Sequence, residues 1–369
     1  MNRCYRHCIK PILFLFNPSH VHHWFGEIGS RCGKHAYIRN IFSYFFGKTY
    51  PSLTQKVDGI WYSAPCGIAA GFDKDVHLIQ ITPCLGTGFH TIGSLTARPY
   101  AGNPGPWLVR LPRDRSILVN YGLKNLGIEA HINGLRELGE VEKYTQPVRI
   151  SIAKTNCAEV CDIDSGISDY HESLSRLWST HIWSVYELNI SCPNAFGGED
   201  FTTPASLEKL LQAIQSLGIT RPIYLKMPVD TDRVQYQELL DIAINYQISG
   251  VIIANLTKQR RLLNPKSQEI IKDHAGGLSG KPTFQLAVDR IKQTYLYANR
   301  RLTIIWCGGV FSATDAYTMI THGASLIQLI TGMIFEWPQL FAQINKGIND
   351  LLKKDGYINI HEAIGSKVK

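Results

Sequence analysis

Eight short apolar runs recur along the chain after residue 67, and segments of helix length separate most of them. The runs cover residues 68–72, 89–95, 148–153, 185–190, 223–227, 251–256, 302–306 and 326–330. Nearly continuous apolar strands that alternate with helices indicate a parallel sheet with both faces covered. Eight such units predict an α/β fold of the (β/α)8 TIM-barrel type, with a doubly wound open sheet as the alternative.

Two stretches interrupt this repeat, and the first 57 residues differ from it. A hairpin is expected at 59–65, before the first barrel strand, and a long loop at 97–127. Residues 1–57 are rich in aromatic residues and histidine. We therefore divide the chain into a small N-terminal helical extension (1–57) and a catalytic barrel domain (58–369).

The extension is expected to contain two short amphipathic helices, near residues 4–15 and 19–31. Asn17, Pro18 and Ser19 mark the start of the second helix, because Asn caps a helix and Pro suits its first turn. The apolar faces of these helices could pack on the barrel. Alternatively, a short apolar, aromatic and basic segment can lie in the membrane interface without crossing it.

The charge and cysteine content exclude several classes of protein. The net charge of +8 is moderate and spread along the chain, which argues against nucleic-acid binding and suits an anionic substrate or membrane surface. The nine cysteines show no regular spacing, as expected in a reducing compartment. Cys157 and Cys161 have no second pair nearby, so no metal site is expected. The longest N-terminal apolar run, 12–16, is too short for a membrane span or a signal peptide.

The sequence Asn-Ile-Ser-Cys-Pro-Asn at 189–194 places a thiol between two carboxamides where a predicted strand ends. Asn189 and Asn194 can each donate and accept hydrogen bonds, and so can hold a planar ring that carries C=O and N–H groups. Cys192 beside such a ring is a candidate base or nucleophile, because the pKa of a thiol can be tuned into the working range. The alternative is a buried structural cysteine in a turn.

Other predicted strands also end in polar or glycine residues, which a barrel would gather on one rim. Lys74 and Lys226 suit an anionic ligand, and Asn255 adds a third carboxamide. Glycines follow the last two strands, where free backbone N–H groups can hold a phosphate. Together these residues favour a phosphorylated planar cofactor, and flavin mononucleotide (FMN) is the best candidate.

Several motifs, in order over nearly the whole chain, together resemble the dihydroorotate dehydrogenase family. They lie at residues 69–74, 102–104, 110–112, 125–127, 189–194, 276–280 and 323–325. The N-terminal portion, with Asn17, Pro18 and His22, resembles the extension of the membrane-associated, quinone-dependent class. The soluble classes lack that extension.

The resemblance implies an FMN enzyme of pyrimidine (UMP) synthesis that oxidises dihydroorotate to orotate. Cys192 would take the C5 proton, a hydride would pass from C6 to FMN, and electrons would continue to a membrane quinone. The substrate residues would be Lys74, Asn120, Tyr121, Gly122, Leu123, Asn189, Asn194, Asn255 and Leu256. The FMN residues would be Ala70, Gly71, Phe72, Asp73, Lys74, Ser94, Ser151, Asn189, Lys226, Ala254, Gly277, Gly309, Ile330 and Thr331. His22 and Arg110 would line a quinone tunnel, with the enzyme bound peripherally to the cytoplasmic side of the cell membrane.

The chain departs from the quinone-dependent pattern at several positions. Cys192 replaces the usual Ser base of that class, and Ile330 replaces a Tyr between flavin and tunnel. Val119 and Ser151 replace two family Asn residues, and Leu256 replaces a family Thr. The departures at Val119, Leu256 and Ile330 keep open a related FMN barrel that uses fumarate or NAD, or another dihydropyrimidine. A membrane-attached barrel that binds a phosphorylated ligand without catalysis is the non-enzymatic alternative.

Overall fold

The computed structural model describes residues 5–138, 145–180, 184–196, 198 and 200–368. Its strands are β1 (Gln55–Val57), β2 (Ile60–Tyr62), β3 (Cys66–Asp73), β4 (His90–Leu95), β5 (Leu108–Leu111), β6 (Ser116–Val119), β7 (Val148–Ile152), β8 (Val185–Leu188), β9 (Ile223–Lys226), β10 (Gly250–Ile253), β11 (Gly277–Gly280), β12 (Thr303–Cys307) and β13 (Leu326–Leu329). Strands β3, β4, β7, β8, β9, β10, β12 and β13 pair in parallel and close into a barrel. The closed barrel confirms the predicted (β/α)8 fold.

Helices cover the outside of the barrel, and capping side chains start several of them. The described helices are α1 (Lys10–Leu13), α2 (Pro18–Lys34) and α3 (Ala36–Phe46) in the extension, and then α4 (Ile128–Leu138), α5 (Ile163–Trp178), α6 (Pro204–Gln215), α7 (Arg233–Asn245), α8 (Pro265–Ile270), α9 (Phe284–Ala298), α10 (Ala313–Thr321), α11 (Thr331–Glu336), α12 (Leu340–Asp355) and α13 (Ile360–Ala363). Asp162 and Asp232 each accept a backbone N–H from the first turn of the following helix, at 2.8 and 3.0 Å. Such caps satisfy N–H groups that have no partner inside the helix.

A hairpin closes the end of the barrel where the strands begin. Strands β1 and β2 pair antiparallel around Asp58 and Gly59, whose φ values of 46° and 83° form the tight turn that Asp-Gly favours. The hairpin therefore spans Gln55–Tyr62, earlier than the predicted 59–65, because Asp58-Gly59 is its turn. Tyr62 is fully buried and packs its ring edge-on against Phe89, with centroids 5.6 Å apart.

The segment 97–127 contains two strands, so its prediction as a plain loop was wrong. Strands β5 and β6 pair antiparallel, and β6 also pairs with β11, whose register sets Ile117 opposite Ser279. The result is a three-stranded sheet beyond the barrel's rim. Its third strand comes from a distant part of the chain, which local sequence patterns do not reveal.

In its described residues the extension forms three α-helices and a short π-helical turn, Tyr5–Ile9. The helix predicted near 4–15 corresponds to the π-helical turn together with α1, and the helix predicted near 19–31 corresponds to α2. Helix α3 was not predicted. The Asn17 side chain caps α2 as expected, accepting the backbone N–H of Ser19 at 2.9 Å. No helix in the described part of the chain is long and apolar enough to cross a bilayer.

The extension is fastened to the barrel at its N-terminal end. The Tyr5 hydroxyl donates to the Ile334 carbonyl oxygen at 2.7 Å, and Arg6 pairs with the buried Glu336 carboxylate. Arg115 reaches the other oxygen of Glu336 at 2.5 Å. Large apolar side chains nevertheless stay exposed on these helices, among them Ile12, Leu15, Trp24, Ile28, Tyr37, Tyr44 and Phe45.

A buried ion pair occupies the barrel interior. Arg149 Nε donates to Glu187 Oε1 at 2.6 Å, and both side chains are fully buried. Tyr62 accepts a second Arg149 N–H at 2.8 Å, and Gln328 donates to the same Glu187 oxygen at 2.7 Å. Paired charges with further hydrogen bonds are the arrangement that makes such burial tolerable.

Candidate active site

A cavity of about 1260 Å³, its mouth included, opens at the C-terminal ends of the barrel strands. Most of the residues singled out from the sequence line it. They are His22, Ala70, Gly71, Phe72, Lys74, Ser94, Tyr121, Gly122, Leu123, Asn189, Cys192, Asn194, Lys226, Ala254, Asn255, Leu256, Gly309, Ile330 and Thr331. The C-terminal rim is where barrel enzymes carry their chemistry.

Lys74 brings an unsatisfied positive charge into this cavity. Its Nζ atom is buried and has no hydrogen-bond partner among the described residues. The atom lies 2.8 Å from the centroid of the Tyr121 ring, whose face attracts a cation. Burial lowers the pKa of Lys74 well below its usual value. A buried cation in this state has a strong preference for an anionic ligand.

A chain of hydrogen bonds fixes two of the carboxamides beside Lys74. Asn255 Nδ2 donates to Asn189 Oδ1 at 2.8 Å, and Asn189 Nδ2 donates to Ser94 Oγ at 2.8 Å. Ser94 in turn shares a 2.8 Å hydrogen bond with Ser151. Each carboxamide therefore has one orientation, which fixes which of its atoms can donate to a ligand and which can accept.

Cys192 lies in the turn that follows β8, partly exposed on the cavity. Hydrogen bonds hold the backbone just before it: the Tyr170 hydroxyl donates to the Asn189 carbonyl oxygen at 2.8 Å. The Ser191 hydroxyl donates to the Lys226 carbonyl oxygen at 2.5 Å. The thiol is thereby placed on the same wall as Asn189, as the sequence led us to expect.

Asn194 ties this turn to the segment 97–127. Its side-chain Nδ2 donates to the Val119 carbonyl oxygen at 2.9 Å, and its backbone carbonyl oxygen accepts from Asn103 Nδ2 at 2.9 Å. Asn103 also donates to Asn120 Oδ1 at 3.0 Å. The three-stranded sheet thus sets the position of the loop that carries Cys192.

The far side of the cavity is built from glycines and small hydroxyl residues. A side chain at Gly332 would place its first carbon 2.0 Å from the Val310 carbonyl oxygen, and one at Gly309 would meet Phe284 at 2.9 Å. Thr331 and Ser279 share a 2.8 Å hydrogen bond nearby. Gly71, at φ 106°, faces open space, where Ile330 is its nearest neighbour at 3.8 Å.

Four of the expected residues do not line the cavity. Asp73 is buried behind Lys74, where it contacts His90 at 2.9 Å and accepts two backbone N–H groups. Ser151 lies behind Ser94. Asn120 turns toward Asn103, with Tyr121 next in the chain facing inward. Gly277 is covered by Leu256, which a side chain at Gly277 would meet at 2.5 Å.

The sequence did not point to several lining residues. Leu108 and Ile117 come from the unpredicted strands β5 and β6, and Leu278 comes from β11. Cys307 ends β12 with its Sγ 3.6 Å from Lys226 Nζ, and burial raises the pKa of this thiol. Cys307 directly precedes Gly308-Gly309, so its place at a strand end was the one available signal.

A second cavity lies between the extension and the barrel, lined mainly by apolar side chains. His22 lines both cavities, and its Nε2 donates to the Phe72 carbonyl oxygen at 2.6 Å. Arg110 lines the second cavity and donates to the carbonyl oxygens of Leu13 and Phe16 at 3.2 and 2.9 Å. Leu108 and Ile117 are shared by both cavities, so a single layer of side chains separates them.

Comparison with known proteins decides the family of this chain. The sequence model of the dihydroorotate dehydrogenase family matches residues 52–352, well over half of the chain. The chain belongs to the dihydroorotate dehydrogenase family. A relative from Mycobacterium sp. (strain KMS), described as dihydroorotate dehydrogenase (quinone), is 30% identical over 366 residues, 98% of this chain and 99% of that one. Another with the same description, from Corynebacterium glutamicum, is 33% identical over 318 residues, 86% of this chain and 83% of that one.

The fold agrees with a solved structure of the family. The crystal structure of DHODH from Eimeria tenella in complex with ferulenol superposes with a TM-score of 0.82, covering 95% of each chain at 22% identity. At this identity the likeness establishes the fold alone. The family match confirms the resemblance to dihydroorotate dehydrogenase seen in the sequence motifs.

Proposed function

We propose that this protein oxidises dihydroorotate to orotate with FMN as cofactor and a membrane quinone as electron acceptor, as a step of pyrimidine synthesis. The observation that carries this proposal is the unpaired ammonium of Lys74, buried in one cavity with Cys192 and the carboxamides of Asn189 and Asn255. A ligand with a carboxylate on a planar ring that carries C=O and N–H groups would pair with the Lys74 ammonium and form hydrogen bonds with both carboxamides.

The residues of the cavity fit FMN. The open face above Gly71 leaves room for a flat ring, and the glycines at 308, 309 and 332 line the cavity, where their backbone N–H groups would hold a phosphate. Lys226 points its ammonium into the same cavity, where it suits the N1–C2 edge of a flavin. When bound, FMN supplies the hydride acceptor for this oxidation.

The protein's own residues would bind the substrate and remove its proton. Lys74 would pair with the carboxylate, while Asn189, Asn194 and Asn255 would orient the ring. Cys192 Sγ would take the proton from C5, since a thiolate is the basic form of cysteine. The apolar wall of Leu256 and Val119 lines the same cavity and limits the access of water.

The second cavity is the proposed quinone site. It is mainly apolar and carries the polar residues His22 and Arg110, as suits a molecule with a polar head and an apolar tail. The exposed apolar side chains of the extension favour peripheral attachment to the cytoplasmic side of the cell membrane. Residues 1–57 would thus serve the membrane and the quinone, and residues 58–369 the chemistry.

Anaerobic mixing tests the two halves of this proposal in turn. Purified protein should carry FMN, and dihydroorotate should bleach the flavin absorption; absence of bleaching contradicts the assigned reaction. The reduced protein is then mixed with a short-chain quinone, fumarate or NAD. Reoxidation by quinone alone is expected. Faster reoxidation by fumarate or NAD would instead favour a soluble acceptor, which Ile330, on the wall of the first cavity in place of the family's Tyr, keeps as the second candidate.

A further inference from the structure

His131 is a buried histidine that the proposed chemistry does not use. It lies on α4 and is 2% exposed. Its Nε2 lies 2.6 Å from the backbone carbonyl oxygen of Lys74, and its Nδ1 lies 2.6 Å from that of Gly127. The ring therefore joins the start of α4 to the end of β3, although His131 and Lys74 are 57 residues apart in the chain.

Both contacts of the His131 ring are hydrogen bonds only if the ring carries two protons. A carbonyl oxygen accepts and never donates, whereas a neutral imidazole has a single N–H. Contacts of 2.6 Å at both nitrogens thus fit the doubly protonated imidazolium, which donates to Lys74 and to Gly127 at once. The contact with Gly127 is local, one helical turn back, and it fixes the direction in which the other N–H points.

The turn that follows β3 needs such support. Val76 has a φ of 63°, a left-handed conformation that is unfavourable for a β-branched side chain. The Asp73 carboxylate stabilises the turn by accepting two of its backbone N–H groups, at 2.8 and 3.0 Å. His131 adds a hydrogen bond to the Lys74 carbonyl oxygen. The backbone from which the Lys74 side chain leaves is thereby fixed.

The second segment that His131 contacts leads back to Tyr121. Asn125 connects the two, because its Oδ1 accepts the Gly127 N–H at 2.8 Å and its Nδ2 donates to a backbone carbonyl oxygen two residues earlier at 2.8 Å. Lys74 Nζ lies 2.8 Å from the centroid of the Tyr121 ring and has no hydrogen-bond partner among the described residues. His131 thus joins, through their backbones, the two segments whose side chains meet at the ammonium.

We propose that His131, as an imidazolium, is a positioning residue that sets the Lys74 ammonium for the substrate carboxylate. The inference rests on the proposed function, in which Lys74 receives that carboxylate. His131 is not among the described residues that line the cavity, and it acts through the backbone of Lys74. By fixing the ammonium before the ligand arrives, it lowers the cost of ordering the site on binding.

The test uses the full-length, FMN-loaded enzyme. His131→Gln has one amide donor group and cannot donate to both carbonyl oxygens, so the Kd for orotate, measured by titration calorimetry, should rise by about 3- to 10-fold, as for one lost hydrogen bond. The KM for dihydroorotate should rise with it, whereas the KM for a short-chain quinone and the FMN content should stay unchanged. His361→Gln, at an exposed histidine on α13, is the matched control and should change none of these values.

A double-mutant cycle with Lys74→Met separates positioning from a general loss of structure. Since His131 acts through the ammonium, His131→Gln should not weaken orotate binding further once the ammonium is absent. An equal effect of His131→Gln with and without Lys74 would overturn the inference. An unchanged Kd in the single variant, or a rise in both KM values together, would overturn it as well.

The unaltered protein supplies a test that does not depend on the folding of a variant. In nitrogen-15 NMR spectra of its orotate complex, the His131 ring should show two slowly exchanging N–H signals, one for each carbonyl oxygen. A single N–H signal would overturn the inference, because a neutral ring can donate to only one of the two segments. If the protein fails to bind orotate at all, the proposed function itself is wrong; if it binds orotate and His131 fails these tests, the inference alone is wrong.

Discussion

His22 Nε2 lies 2.6 Å from the carbonyl oxygen of Phe72, and the two rings stack 5.0 Å apart at an angle of 11°. A carbonyl oxygen only accepts, so Nε2 carries the proton and the neutral imidazole satisfies the contact. Burial, together with the charge of nearby Lys74, lowers the pKa of His22 to about 4. The hydrogen bond to Phe72 and the charges of Asp73 and Asp75 oppose this shift without cancelling it.

Acid should therefore loosen the extension from the barrel. The unfolded pKa of His is about 6.5, so the stabilisation by neutral His22 is complete above pH 6.5 and declines as the pH falls toward 4. The loss should reach about 2 kcal/mol at pH 5. Limited proteolysis of the extension across this range measures it. His22→Asn should flatten the pH dependence, whereas replacing the exposed His35 should not.

Replacing Lys74 by Met should have opposite effects on stability and on binding. Without ligand, the buried ammonium is unfavourable, so its removal should raise the free energy of unfolding by about 1–3 kcal/mol. Orotate binding should fall by about 100-fold or more, because its carboxylate loses a charged partner. Thermal melting with and without orotate measures both effects. Lys272→Met, an exposed control, should change neither; a lower melting temperature for Lys74→Met would contradict the account.

Replacing Cys192 by Ser should slow reduction of the flavin near neutral pH by at least about tenfold, because a hydroxyl gives up its proton far less readily than a thiol. Anaerobic stopped-flow measurement with dihydroorotate follows the rate. The pH profile of the native enzyme should show an apparent pKa in the thiol range, and that feature should vanish in the variant. An unchanged profile would show that the thiol is not the base; the exposed Cys161→Ser is the control.

The ion pair inside the barrel should be sensitive to loss of one partner. Glu187→Gln leaves the fully buried Arg149 without its counter-charge, and should lower the free energy of unfolding by about 3–5 kcal/mol. Urea denaturation measures the change. Asp350→Asn breaks the exposed pair with Lys346 and should cost well under 1 kcal/mol. Equal effects of the two variants would contradict the role assigned to burial.

The parts of the fold that sequence could predict are those with local signals. The barrel strands are continuous apolar runs, and Asn17 starts α2 through a hydrogen bond to Ser19, two residues away. Strand β11 gave no such signal, because it pairs with β6 across more than 150 residues of chain. Strands β5 and β6 pair locally, but each has only four residues and they were not recognised. Helix α3 was not predicted, although its own sequence is apolar. Its start at His35 has no side-chain cap, so the usual signal for the beginning of a helix is absent.

Prediction of the candidate site from sequence was limited in the same way. Strand ends identified Lys74, Cys192 and Lys226, because a parallel barrel brings all its strand ends to one rim. The contact between Lys74 and Tyr121 depends on how two separate segments fold over each other, and no spacing encodes it. Asp73 and Asn120 were expected at the cavity by their position in a motif, yet their side chains turn toward protein partners.

The pairing of Ile117 with Ser279 has a consequence for how the protein is made. Contacts between distant residues form late, since the intervening chain must first be brought together. On the ribosome, the strands up to β10 emerge before residue 280, and at that stage the segment 97–127 lacks its third strand. The partition between the two cavities can therefore close only after residue 280 has emerged. A nascent chain halted before that point would contain most of the barrel but no sealed chamber for a ligand.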